Sequence, residues 1–179
     1  EARSLLVRAT RNCSWNRCIF CYGVHWDRNK LELRSVEDVK QDILAMKAAA
    51  QEITEWAGKT DYGDRIEQVA MYNGILWLTN AGVKTAFIGD SNSLIMKTDD
   101  LVEVIEFLYQ NFPTLERVTS YARAKTAFKK TSLELERLQQ AGLSRLHIGL
   151  ETGDDELLRY IDKGATAEEM IEAGRKVKE

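Results

Sequence analysis

Two hydrophobic rhythms alternate along this chain, and their alternation predicts a fold. Four short runs, rich in apolar or β-branched residues and bounded by turn or helix signals, read as strands: RSLLVRA (3–9), VKTAFIG (83–89), LERVTSY (115–121) and SRLHIGL (144–150). Between them the period lengthens to that of a helix. Ser35 and Asp38 open a segment that repeats apolar residues at Val39, Ile43 and Met46. Residues 99–112 carry Leu101, Val104, Ile105 and Leu108 on one face and stop before Pro113. Thr131 and Glu134 are spaced as a capping box for a third helix that ends at Gly142. Two more helices are predicted, over 154–162 with a stop at Gly164, and onward from Thr166 and Glu169.

The last three strands start roughly thirty residues apart, the length of a βαβ unit. Such alternation implies an α/β fold with a parallel sheet and helices packed outside it. The first unit is longer, because it holds a cysteine-rich loop and an extra helical stretch over 65–80. Four strand–helix units fit an open sheet, or a partial parallel β/α barrel within a longer polypeptide, and the helix still running at the end favours the barrel. The expectation is a single domain over residues 1–179, the N-terminal part of a barrel truncated to about four units. Either architecture places ligands at the carboxyl ends of the strands.

Composition changes this picture little. The 179 residues are 44% hydrophobic and 30% charged, with one proline and a net charge of −3. That balance offers no general attraction for nucleic acid or anionic membranes. No apolar run is long enough to cross a bilayer. The sequence contains no Walker-type loop, no Gly-x-Gly-x-x-Gly and no Gly-x-Ser-x-Gly.

Chemistry concentrates in RATRNCSWNRCIFCYGVHWD (8–27), which leaves the first strand and holds all three cysteines: Cys13, Cys18 and Cys21. An odd, tightly spaced set argues against a disulfide framework and suits a reducing, cytoplasmic setting. Thiolates at C-x4-C-x2-C intervals can converge on a metal centre. With His25 four residues on, they offer the four ligands of a structural zinc site. A four-iron cluster normally takes four cysteines, so three would leave one iron with an open position.

CSWNRCIFC resembles the cluster-binding loop of radical S-adenosylmethionine enzymes, including the aromatic Phe20 directly before the last cysteine. The commonest form of that motif is C-x3-C-x2-C, and this chain has one residue more in the first gap. The resemblance runs through the four β/α units. It implies a partial-barrel core, a 4Fe-4S cluster held by Cys13, Cys18 and Cys21, and S-adenosyl-L-methionine bound through its amino and carboxylate groups to the fourth iron. Reductive cleavage would then yield a 5′-deoxyadenosyl radical that abstracts hydrogen from a substrate the sequence does not specify. An electron donor such as a flavodoxin or ferredoxin is implied as partner.

The same resemblance assigns residues at the other strand ends. Gly89-Asp90 stands where the family has a Gly-Gly-Glu motif for the methionyl ammonium, with a carboxylate one carbon shorter; a simple turn is the bland reading. Ser120 and Arg123 follow the third strand, where a hydroxyl suits ribose and a guanidinium suits a carboxylate. The run HIGLETGDDELLRYIDKG resembles the fourth-strand motif of the coproporphyrinogen oxidase-like and methylthiotransferase-like branch. That likeness puts Glu151 on ribose hydroxyls and Lys163 on the methionyl carboxylate. Alternatively, Glu151 is a helix-terminus carboxylate and Lys163 a last-turn cation. Trp15, Tyr22 and Trp26 flank the loop as shields, His147 reads as a strand histidine, and Lys129 and Lys130 read as a solvated pair. Two rivals stay open: a zinc-binding module with a Cys3His site, and a β/α enzyme of other chemistry with incidental cysteines.

Overall fold

The computed structural model describes residues 2–21 and 30–178. Tyr22, His25 and Trp26 lie outside the described residues. A four-stranded parallel sheet forms the centre, made of β1 (Leu5–Arg8), β6 (Thr85–Gly89), β7 (Arg117–Ala122) and β8 (Leu143–Ile148). Their order across the sheet is their order in sequence, with no reversal. A sheet that always steps the same way curls toward a barrel, whereas a doubly wound sheet reverses at a switch point. The fold is therefore an α/β arrangement of a partial β/α core.

Register shows which face does what. Val7, Ile88, Ser120 and Leu146 lie side by side, and Val7, Ile88 and Ser120 are buried. Helices cover this face: α1 (Val36–Gly58) through Val39 and Ile43, and α3 (Thr98–Asn111) through Leu101, Val104, Ile105 and Leu108. The apolar stripes expected for these helices are the stripes they bury. The opposite face carries Leu6, Phe87, Thr119 and Arg145 in one row, and Gly89, Tyr121 and His147 in the next. Here Leu6 and Tyr121 are exposed. The rings of Phe87, Tyr121 and His147 cluster on this face, with Phe87 and Tyr121 edge to face and their centroids 4.7 Å apart.

The remaining elements trim the units. Ser35 caps α1 by accepting from the Asp38 amide. The helix expected over 65–80 is shorter: a 3-10 turn at Gly63–Arg65 leads into α2 (Ile66–Tyr72), and the chain leaves it through Gly74 at φ 73°. A hairpin of β4 (Leu78–Thr79) and β5 (Gly82–Val83) takes the rest of that stretch, closed by Thr79 Oγ1 donating to the Gly82 carbonyl at 2.7 Å. Val83 pairs with Leu78, so β6 begins two residues later than its apolar run. A short α4 (Ala124–Lys129) succeeds β7. Next comes α5 (Ser132–Gln140), whose capping box between Thr131 and Glu134 is fully formed. Then α6 (Asp155–Tyr160) and α7 (Ala167–Lys178) complete the fourth unit.

Lys130 departs from the solvated pair expected for it. Its ammonium donates to the Met96 carbonyl, Thr98 Oγ1 and Glu134 Oε1, while Lys129 is exposed. The lysine thereby satisfies acceptors at the start of α3 and ties that helix to α5.

Candidate functional site: the cysteine loop and the strand ends

Beyond β1 the chain makes a two-residue strand, β2 (Thr10–Arg11), which pairs antiparallel with β3 (Glu32–Leu33). The cysteine loop springs from this neck. Asn12 and Asn16 adopt left-handed φ of 63° and 51°, a conformation asparagine tolerates better than most residues. Asn12 also ties the two sides of the loop by donating to the Lys30 carbonyl. Cys13, Cys18 and Cys21 are free thiols, each partly buried. The Trp15 amide donates to Cys13 Sγ at 3.4 Å, and the Cys21 amide to the Cys18 carbonyl at 3.1 Å.

The loop is fastened to the turn between α6 and α7 in the fourth unit. Trp15 Nε1 donates to the Asp162 carbonyl at 2.6 Å, Arg17 pairs with the Asp162 carboxylate at 2.9 Å, and the Ile19 amide donates to the Ile161 carbonyl at 3.0 Å. Gly164, at φ 68°, sits against the Trp15 ring, so that a Cβ there would lie 2.4 Å from ring atoms. Glycine is needed here both for backbone shape and for space.

Two cations anticipated at the strand ends reach the loop. Arg123, just past β7, lies 5.1 Å from the Trp15 ring centroid and donates through Nη2 to the Lys163 carbonyl at 2.6 Å. Lys163 Nζ lies 5.6 Å from the Phe20 ring centroid and 2.8 Å from Glu151 Oε1. Burial pushes the Cys18 thiol up in pKa; Lys163 and Arg123 oppose this, while Cys13 and Cys21 add to it. Burial likewise lowers the Arg123 pKa, against the pull of Cys13, Cys18 and Glu169. The guanidinium stays charged at any physiological pH. Glu151 holds a left-handed φ of 66° and folds its carboxylate back over Gly149, where a Cβ would lie 2.5 Å from Oε1. A charged side chain in that conformation is strained, as residues at binding sites often are.

The turn after β6 approaches from the other side. Asp90 and Ser91 are consecutive left-handed residues at 63° and 58°. Asp90 pairs with Arg8 at 3.6 Å, and its carbonyl accepts from Thr10 Oγ1. A Cβ on Gly89 would make only ordinary contact with Phe87, so crowding does not explain that glycine. Beside it lies an open depression of about 970 Å³, lined by Leu6, Arg8, Phe87, Asp90 and Tyr121 among others.

One assignment needs correction. Ser120 does not face the site: it is fully buried on the helix side of β7, its hydroxyl donating to the Tyr121 carbonyl at 3.1 Å. The strand is covered on much of both faces, so alternation alone could not orient it. Conversely, sequence reasoning misses Asn92, although it is fully buried among the loops of the site. Its partners at residues 14, 123 and 126 are too distant in sequence to leave a local signal.

The donor set suits an iron–sulfur cluster. Three thiols sit on one loop with two cations beside them, as needed to offset the charge of thiolate ligands. Among the described residues no three His, Cys, Asp or Glu side chains converge on a single metal ion. Thiolates that each bind a separate iron do not have to share one ion's coordination shell.

Comparison with known proteins shows the family and the fold. Residues 7–179 match the model of the Radical SAM superfamily, and the chain belongs to that superfamily. No curated protein matches it. Among solved structures, the cobalamin-dependent S-adenosylmethionine radical enzyme OxsB, with aqua-cobalamin and S-adenosylmethionine bound, superposes with a TM-score of 0.61 at 22% identity. OxsB with aqua-cobalamin bound gives 0.60 at 19% identity. Each alignment covers 97% of this chain but only 22% of the OxsB chain. The likeness is one of fold.

Proposed function

We propose that this chain binds a 4Fe-4S cluster through Cys13, Cys18 and Cys21, and S-adenosyl-L-methionine beside it, as part of a radical S-adenosylmethionine enzyme. The observation that carries this reading is the convergence on the cysteine loop of Arg123, just past β7, and Lys163, just past α6, which lie against its Trp15 and Phe20 rings. Either cation can pair with a carboxylate that docks beside the loop. When bound, the cluster and S-adenosylmethionine supply one-electron cleavage and a carbon radical able to abstract hydrogen.

The protein's own residues bind and orient. Asp90 and the open backbone at Gly89 receive an ammonium group, Lys163 and Arg123 a carboxylate, and Glu151 ribose hydroxyls. Trp15 shields the loop, and Phe20 lies beside the cofactor. The depression over Gly89 and Tyr121 gives the substrate a place next to these groups. Electrons are supplied by a small carrier of the flavodoxin or ferredoxin kind.

Metal content after anaerobic reconstitution tests the assignment. His25→Ala is expected to retain full iron, and Cys18→Ser to lose most of it. Bound zinc in place of iron, lost on His25→Ala, would sink the proposal.

A further inference from the structure

Asn92 is fully buried, and its side-chain amide bonds to two other segments, the cysteine loop and the first turn of α4 with its N-cap Arg123. Nδ2 donates to Ser14 Oγ at 3.0 Å, inside the cysteine loop, and to Thr126 Oγ1 at 2.9 Å, in α4. Oδ1 accepts from the Arg123 amide at 3.0 Å. Its own backbone amide donates to the Asp90 carbonyl at 2.8 Å, bracing the two left-handed residues before it. One residue therefore holds Ser14 next to Cys13, fixes the backbone of Arg123, and closes the turn that presents Asp90.

We infer that Asn92 is a positioning residue that locks the cysteine loop in register with the Asp90 and Arg123 ends, and so sets the affinity for S-adenosylmethionine without touching it. The inference rests on the proposed function. Fully satisfied buried polar networks specify one arrangement of the segments they join, and a half-satisfied one releases it. Asparagine suits this place because a single planar group supplies two donors and one acceptor at once, bridging the cysteine loop to the start of α4. Neither a hydroxyl nor an aliphatic side chain does so.

The test compares wild type, Asn92→Ala, Ser14→Ala and Val104→Ala, each reconstituted anaerobically with iron and sulfide. Three quantities are read: bound iron, the unfolding temperature, and the midpoint at which added S-adenosylmethionine changes the electron paramagnetic resonance spectrum of the reduced protein. Asn92→Ala keeps the three thiols, so iron stays near the wild-type level while the midpoint rises roughly tenfold. Ser14→Ala, which removes only the bond to the loop, gives a smaller rise of about threefold. Val104→Ala opens a cavity under α3, away from the loop, and lowers the unfolding temperature with the midpoint unchanged.

A wild-type midpoint in Asn92→Ala, or an equal shift in Val104→Ala, overturns the inference. Should Asn92→Ala fail to fold, an unshifted midpoint in Ser14→Ala overturns it instead. A wild-type spectrum that ignores S-adenosylmethionine overturns the proposed function itself, before any variant is considered.

Discussion

Trp15 and Gly164 are fitted to each other: a Cβ on residue 164 would come within 2.4 Å of the indole, and the glycine's φ of 68° is one that side chains rarely adopt. The indole N–H is at the same time fixed on the Asp162 carbonyl. The cysteine loop thus takes its shape from the turn between α6 and α7, about 150 residues later in the chain. Gly164→Ala is expected to destabilise the protein by roughly 2 kcal/mol, from backbone strain and crowding together. It should also reduce the iron bound on reconstitution, because the tryptophan must move. Thermal unfolding and iron analysis check both outcomes, and unchanged iron content would show that the loop does not depend on this contact.

Glu151 offers a separation of stability from binding. Its left-handed φ costs of the order of 1 kcal/mol, and its partly exposed pair with Lys163 is worth no more than about that. Glu151→Gly should therefore leave the unfolding free energy within about 1 kcal/mol of wild type, since strain relief offsets the lost pair. Affinity for S-adenosylmethionine should fall about tenfold or more, as ribose hydroxyls lose a carboxylate acceptor. Calorimetric titration of the reconstituted protein reads the second effect, and an unchanged affinity would return Glu151 to the role of a loop carboxylate.

The Thr131–Glu134 box carries the clearest pH dependence outside the site. The Thr131 backbone N–H, then Thr98 and Lys130, hold the Glu134 carboxyl down at about 2, below its ordinary 4.5. A depressed carboxylate stabilises the fold fully above the ordinary value, and this contribution is lost as pH falls from about 4.5 toward 2. Glu134→Gln should lower the unfolding temperature at pH 7, in line with a capping contribution of about 1 kcal/mol. The gap between variant and wild type should close as pH approaches 2. Parallel melts across that range are the check, and a gap that stays constant would rule out the charge as its source.

Much of this architecture was legible because local pattern and tertiary role agree. Each of the four sheet strands overlaps its apolar run, β7 and β8 extending one residue beyond it at Ala122 and Leu143, and Ser35, Thr131 and Glu134 cap the helices they were expected to open. The cysteine spacing identified the loop, and the family resemblance pointed to Arg123, Glu151 and Lys163; Arg123 and Lys163 lie against the loop's Trp15 and Phe20 rings, and Glu151 pairs with Lys163. Failures have a common cause in non-local partners. Ser120 sits on a strand buried on much of both faces, so its direction depends on which neighbours cover it. Lys130 resembles a solvent-exposed lysine until the start of α3 supplies its acceptors. Asn92 reads as one polar residue in a loop; its importance comes from bonds to residues 14, 123 and 126.

The most direct measurement is electron paramagnetic resonance of the anaerobically reconstituted, reduced chain, recorded with and without S-adenosylmethionine. Three cysteines holding a cluster with one open iron predict a reduced-cluster signal that changes shape when S-adenosylmethionine is added. The absence of a cluster signal, or a signal that S-adenosylmethionine leaves unmoved, would contradict the assignment of Cys13, Cys18 and Cys21.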